Sequence, residues 1–402
     1  MPYFPLRRQL AYMIADSDIR TSILDTVTLQ PLEPGEEVVT DITDVSLFVD
    51  GFTPFKGSGN SRMTIVHLVL LSLSPKERYK TKHMMQVAII PADHTGNIYS
   101  FLTPLLRELF VLENAGMNIY CEGGPIHVKV HLLLASGDLI GCQEIAHHTR
   151  NNSEYGCRQC RIKTTSEISP AGKGRGHYYP GMEAMSDLRT DNEFDFGIKK
   201  ATLFGQLKAF HGYSFFGLDE MHCIGANVTR KIWDMITGNF ATDVNSTIRL
   251  HNRLSSNIVP TLVFKQLVEE YGCNSKQVEA IMSLVIECTL SLQWEIDSED
   301  CSNIKKHLHA WHLHMKNKID HNLYTVNFHL LRHFHDIIEK LGPLRGYSTR
   351  LAERAIGELP ANQYLVPDED EEHDEMILWN HHAASVTDYN KKYHLIEYLT
   401  NY

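Results

Sequence analysis

The 402-residue sequence has no apolar run long enough to cross a membrane. Its longest, Thr64–Leu73 and Val128–Ala135, fall far short of the roughly 18–20 residues a span requires. The start, MPYFPLRRQL, lacks the apolar stretch of a secretory signal. These absences point to an intracellular protein, nuclear or cytoplasmic, with no membrane partner. A disulfide framework is missing too. Of the 8 cysteines, those at 121, 142, 223, 273, 288 and 301 stand singly, and only Cys157 and Cys160 form a CxxC. That distribution fits reduced thiols with one metal knuckle. No internal repeat is visible, and low complexity is confined to Asp368–Glu375 (DEDEEHDE). With 43% apolar and 22% charged residues, neither a disordered nor a fibrous chain is indicated.

An overall excess of positive charge is also lacking, since the formal net charge is −11. Seven acidic residues of that balance lie in the 368–375 run, so the global value does not exclude a nucleic-acid surface. Residues 150–175 carry six basic side chains against two acidic ones, a patch able to hold phosphates or simply to face solvent. The length is large for one core, which favours one domain with an insertion, or several domains.

The first half carries strand and helix patterns in a definite order. Val45–Phe52, Met63–Leu73 and Met84–Ile90 read as three strands in a meander. Ile98–Asn114 has helical periodicity, with Leu102, Leu105, Leu106, Leu109, Phe110 and Leu112 expected on one side. Ile126–Leu134 alternates into a fourth strand, broken at Ser136–Gly137. A right-handed crossover through the helix can set that strand parallel to the first. Beyond residue 200 the patterns are mostly helical, over Thr229–Met235, Pro260–Tyr271, Ser275–Glu295, Ser302–Asn317 and Thr325–Leu341.

Two carboxylates follow from this topology. Asp50 ends the first strand and Asp138 follows the fourth, so neighbouring parallel strands would carry both at their carboxyl ends, where ligands of open α/β sheets gather. Converging carboxylates form a hard-oxygen site suited to Mg²⁺ or Mn²⁺. An aspartate before glycine is, on its own, more often a turn former.

Several phrases, taken together, resemble the CACTA (En/Spm-like) DNA transposases. They are DVSLFVDGFTPFKGSGNSRMTIVHLVLLSLSPKERYK, MMQVAIIPADHTGNIYSFLTPLLREL, VKVHLLLASGDLIGCQEIAHHT, GCRQC, GLDEMHCIG and GPLRGYSTRLAERAIGEL, in the family's order from about Asp44 to Leu359. The resemblance implies an α/β protein with an RNase H-like catalytic core, interrupted by a large, mainly helical insertion. The corresponding division is an N-terminal remnant (1–40), the first part of the core (41–150), the knuckle and helical insertion (151–320), a closing core segment (321–360) and an acidic tail (361–402). It implies a DDE transposase that cleaves DNA and transfers a 3′-hydroxyl strand end with two Mg²⁺ or Mn²⁺ ions. Asp50, Asp138 and Glu353 match its catalytic, metal-holding carboxylates, with Glu358 as the fallback for the last. DNA, as transposon ends and target, and a homo-oligomer are the implied partners.

The CxxC of Cys157 and Cys160 is half of a tetrahedral zinc site. DEMH (Asp219–His222) resembles the DxxH element that accompanies it in the family, making His222 the expected third zinc ligand and Asp219 the fourth, with Cys223 and His177 in reserve. His329 and His333 form an i,i+4 pair able to act as ligands, but packing near the active site is the favoured reading. His307, His309, His312 and His314 read as solvated helix histidines. His147 and His148 are candidate donors to DNA phosphates. Only about forty residues precede the first motif, and they contain no zinc-finger or helix-turn-helix signal. A truncated transposase is therefore expected, and the alternatives are a remnant that only binds DNA or protein, and a metal-dependent RNA nuclease.

Overall fold

The computed structural model describes residues 3–28, 42–52, 63–91, 97–168, 174–179, 188–189, 195–236, 275–318, 324–350 and 353. The expected helix at Pro260–Tyr271, the fallback Glu358 and the acidic run lie outside them. The protein is mixed α/β and divides into two compact units. One comprises Met1–Gly137, Leu203–Phe210 and Thr349–Tyr402, the other Asp138–Thr202 and His211–Ser348. Residues 324–348, expected with the closing core segment, thus belong to the second unit. Among the described residues no helix is long and apolar enough to cross a membrane.

The first unit begins with helices α1 (Leu6–Ala15) and α2 (Ser17–Thr28). Its sheet comprises β1 (Ile42–Phe52), β2 (Met63–Leu70), β3 (Met84–Pro91), β4 (Met117–Cys121) and β5 (Gly124–Gly137). A single helical turn, α3 (Pro75–Arg78), lies between β2 and β3, and α4 (Ile98–Asn114) follows β3. The strand order is β3-β2-β1-β5-β4. β1 runs antiparallel to β2 and parallel to β5, and β2 runs antiparallel to β3. The meander and the parallel crossover are therefore present as the apolar patterns suggested. β2 is buried continuously from Ile65 to Leu70, which explains its nearly continuous apolar sequence, interrupted only by buried His67.

Two local expectations need correction. β4, for which the sequence carries little periodicity, pairs antiparallel with β5 from Met117–Val128 to Cys121–Gly124. Gly123 and Gly124 have φ of 106° and 119°, the left-handed conformation a tight hairpin requires and glycine adopts without steric cost. β5 also continues through Ser136–Gly137 rather than breaking there. Val49 pairs with Gly137, and a Cβ on Gly137 would lie 2.3 Å from the carbonyl oxygen of Val49. Glycine is thus required by the close approach of β1, not by a turn.

The outer edge of β3 is covered by the N-terminal segment. The Phe4 amide donates to the Val87 carbonyl at 2.9 Å, and the Gln9 side chain donates to the Gln86 carbonyl at 2.9 Å. This occupies backbone groups that would otherwise template another strand. α4 buries Leu102, Leu105, Leu106, Leu109 and Leu112. Phe110, expected on that face, is half exposed.

The second unit opens with α5 (Leu139–Ile145), capped by Asp138, whose side chain accepts from the Gly141 amide at 2.6 Å. The small hairpin of β6 (Thr165–Ile168) and β7 (Arg175–Tyr178) follows. A π-helical segment, Met221–Val228, runs into α6 (Thr229–Ile236). The remaining helices are α7 (Ser275–Ser291), α8 (Ser298–Lys318), α9 (Val326–Leu330) and α10 (Phe334–Leu341). A 3-10 turn, Leu331–His333, joins α9 to α10. The broad helical pattern read from Thr325 to Leu341 is thus two helices and a tight turn.

Candidate metal centre

The second unit gathers Cys157, Cys160, His329 and His333 into one group, all buried, with donor atoms within 4.8 Å of one another. Among the described residues it is the group of His, Cys, Asp and Glu donors with this geometry, and Asp50, Asp138 and Glu353 are not part of it. The Cys157 sulfur lies 3.6 Å from His333 Nε2, and the Cys160 sulfur 3.3 Å from His329 Nε2. The two Nε2 atoms are 3.2 Å apart. A tetrahedral zinc ion with bonds of about 2.3 Å to sulfur and about 2.0–2.1 Å to nitrogen needs S–N edges of roughly 3.6 Å and an N–N edge of roughly 3.3 Å. The spacings fit, and the group can hold a zinc ion.

Local structure presents each donor. The Gln159 amide points at the Cys157 sulfur at 3.3 Å, the turn geometry that lets two cysteines three apart face one point. Gly156 is required ahead of them, because a Cβ there would lie 2.3 Å from the Asn151 carbonyl oxygen and 2.6 Å from the Tyr179 hydroxyl. Arg189 holds the knuckle from behind, donating to the Cys157 carbonyl at 3.0 and 2.8 Å. His329 lies in the last turn of α9 and His333 ends the 3-10 turn, an i,i+4 spacing that directs both rings to the same side. The Tyr179 ring stacks on His329 with centroids 4.6 Å apart, and Asp336 lies 3.8 Å from His333 Nδ1. A carboxylate behind a ligating imidazole fixes its tautomer and strengthens its donor nitrogen.

The electrostatics suit a cation. Burial opposes ionisation of Cys157, yet its hydrogen bond with Cys160 and the two histidines hold it well below the usual thiol range. Cys160 is driven up by its bond with Cys157 and by burial, so the pair shares one negative charge. His333 is pushed up to about 9; burial opposes this, and the Cys157 thiolate with Asp336 outweighs it. Without an ion these charges neutralise one another. With one, four protein donors close the coordination sphere, the mark of a structural rather than a catalytic zinc site.

The expected third and fourth ligands are therefore corrected. His222 and Asp219 are paired through Nδ1 and Oδ2, and Asp219 also accepts from the Met221 and His222 amides at 3.1 and 3.2 Å. Asp219 acts as the local helix-start acceptor that an Asp three residues ahead commonly provides. The reserve residues are engaged elsewhere. His177 Nδ1 meets the Thr164 hydroxyl at 2.7 Å, and the Cys223 thiol donates to the Asn327 carbonyl at 3.3 Å. The favoured reading of His329 and His333 as packing residues gives way to their convergence on the CxxC.

Other histidines also differ from expectation. His312 is buried against the Tyr324 hydroxyl at 3.3 Å rather than solvated. His148 is buried, with Nδ1 at 2.6 Å from the Thr149 carbonyl oxygen and Nε2 at 3.3 Å from Arg189. Burial first, and the adjacent Lys200 and Lys199, push His147 down to about 4; burial and Arg189 do the same to His148. Both rings are thereby held toward the neutral form, which lacks the charge that would favour a phosphate.

The carboxylates read from strand ends are placed as follows. β1 and β5 remain paired to Val49–Gly137, and Asp50 and Asp138 are the next residue of each segment. Glu353 is helical and half-buried. No protein-family model matches the chain, and no curated protein matches it.

Proposed function

We propose that the chain is the catalytic region of a CACTA-type DDE DNA transposase with an RNase H-like core. The observation that carries this reading is the parallel pairing of β1 and β5 up to Val49–Gly137, with an aspartate next on each chain segment. Three antiparallel strands followed by a helix and a parallel strand beside the first agree with such a core. A carboxylate donor set suits Mg²⁺ or Mn²⁺. Such ions, when bound, supply Lewis-acid stabilisation of an in-line displacement at phosphorus. Asp50, Asp138 and Glu353 would hold them, and Asp138 keeps its chain direction through its bond to the Gly141 amide. The Cys157–Cys160–His329–His333 group would hold a structural zinc that ties the knuckle to the α9–α10 segment.

Incubation of purified protein with supercoiled plasmid and Mn²⁺ or Mg²⁺ tests the reading, with nicking and joining of a 3′-hydroxyl oligonucleotide as readouts. Asp50→Asn and Asp138→Asn are expected to abolish both while thermal stability changes little. Undiminished cleavage by the double variant would overturn the assignment. Binding of DNA without cleavage under any metal would favour the reading of a non-catalytic remnant, which the engagement of Asp138 as a helix cap already suits.

A further inference from the structure

The zinc-knuckle unit has a second chemical feature, unrelated to metal. Phe196 is 39% exposed and has φ of 57°, a left-handed conformation that a bulky side chain seldom adopts. The turn is held in place. Arg189 donates to the Phe196 carbonyl, and the next residue, Gly197, has φ of 90° in a position where a Cβ would lie 2.6 Å from the Tyr155 carbonyl oxygen. The turn holds the phenyl ring 39% exposed, and strain of this kind concentrates where a side chain has a functional task.

The ring has planar company. Tyr155 meets it edge-on with centroids 5.2 Å apart, and the Arg161 guanidinium carbon lies 5.7 Å from its centre. Basic side chains surround the trio. An antiparallel bridge joins His148 to Ile198, the Thr149 amide donates to the Gly197 carbonyl at 2.7 Å and the Lys199 amide to the His147 carbonyl at 2.9 Å. Exposed Arg150 follows Thr149 on one segment of this bridge, on the Phe196 side, and exposed Lys199 and Lys200 follow Ile198 on the other. Two charges of opposite sign belong to the same face: Asp195, and Glu154, which is paired with Lys163 at 2.6 Å.

We propose that Phe196, Tyr155 and Arg161, flanked by Arg150, Lys199 and Lys200, form a stacking platform for single-stranded DNA. Aromatic rings and arginine planes stack on any base, and surrounding lysines and arginines track the phosphates, which is the general chemistry of sequence-tolerant single-strand binding. A duplex hides its base faces and can use only the basic residues. The choice of DNA rests on the transposase reading, which deepens here to a surface for strands opened at a cut end.

The test is fluorescence anisotropy with a labelled oligo-dT of about 15 nucleotides, without added Mg²⁺ or Mn²⁺, on full-length protein. Repeating it with Asp50→Asn/Asp138→Asn separates binding from catalysis: retained binding by this variant supports a platform distinct from the carboxylates, whether or not the wild type cleaves. Phe196→Ala is expected to weaken oligo-dT binding roughly 5- to 150-fold with the salt dependence unchanged. Phe196→Trp should retain binding, and Phe196→Gly, which suits the turn's backbone, should lose it while zinc content and thermal midpoint hold. Lys199→Ala/Lys200→Ala should reduce the slope of log affinity against log salt by about 1.4, at about 0.7 per phosphate contact. Equal binding by wild type, Phe196→Ala and Phe196→Gly would overturn the proposal. So would tighter binding of duplex than of single strand, or no oligonucleotide binding at all, which would leave the face as a protein-docking surface.

Discussion

The Cys160 sulfur and His329 Nε2 lie 3.3 Å apart although 169 residues separate them in the chain. With Cys157 and His333 they bring a turn and a helix end to one point, so an ion there would act as a cross-link. A cross-link between distant segments stabilises by linking metal binding to folding.

Purified protein is expected to carry one zinc per chain by elemental analysis. Cys157→Ser, Cys160→Ser, His329→Ala and His333→Ala should each abolish it, and Asp219→Ala and His222→Ala should not. Asp336→Asn should keep the zinc but weaken it roughly 10- to 100-fold, read by competition with a chromogenic chelator. Retention of zinc by His329→Ala/His333→Ala would refute the ligand set.

Acid should destabilise the first unit through His67. The residue is buried in the sheet, and burial lowers its pKa to about 4. Its folded pKa lies below its unfolded one, so the unfolded chain takes up the proton first. Stability is complete above pH 6.5 and falls as pH drops from about 6.5 to about 4, by about 3 kcal/mol for this group. In the second unit, His148 adds a loss in the same window. Urea midpoints measured across this range should flatten in His67→Leu relative to wild type.

Glu287 predicts the opposite dependence. It is fully buried in α7, accepts hydrogen bonds from Cys288 and Ser291, and burial pushes it up to about 8. A raised carboxyl contributes fully below its unfolded value near 4.5, and that contribution is lost as pH rises to about 8. Glu287→Gln preserves the acceptor without the charge. It should stabilise by about 3 kcal/mol at pH 7 and change little at pH 4, as calorimetry at the two pH values would show.

Gly137→Ala should destabilise the sheet by about 1–3 kcal/mol or more, the range for inserting atoms into packed structure. The new Cβ would meet the Val49 carbonyl oxygen, forcing β1 and β5 apart one residue before Asp50 and Asp138. Denaturant unfolding measures the loss, and nicking activity should fall with it. Normal stability of this variant would show that β1 and β5 do not approach so closely.

Much of the sheet was legible because its signals are local. Largely apolar runs in β1, β2 and β3, helical spacing in α4 and the alternation of β5 are short-range patterns that burial produces directly. β4 escaped because five residues with a single alternation, between a helix and a glycine turn, carry little periodicity. The continuation of β5 through Gly137 escaped for a different reason. A glycine that breaks a strand and one that admits a neighbouring backbone have the same sequence.

The candidate centre divides along the same line. Two cysteines three apart announce a metal knuckle by themselves, and an i,i+4 histidine pair is a ligand motif on any helix. Which histidines complete the knuckle is a long-range matter. Asp219 and His222 had the more suggestive local phrase, but an aspartate three residues before a histidine can equally cap a turn and pair within it, and it does so here.

The sequence by itself determined the order of most elements, the apolar faces and the CxxC, because each depends on neighbours within a few positions. Only the tertiary structure decided that His329 and His333 face Cys157 and Cys160, that β5 lies against β1 as far as Gly137, and that Phe196 faces solvent from a strained turn. Each of these rests on contacts across tens to hundreds of residues. Such contacts are selected by the packing of whole elements, and no local pattern encodes them.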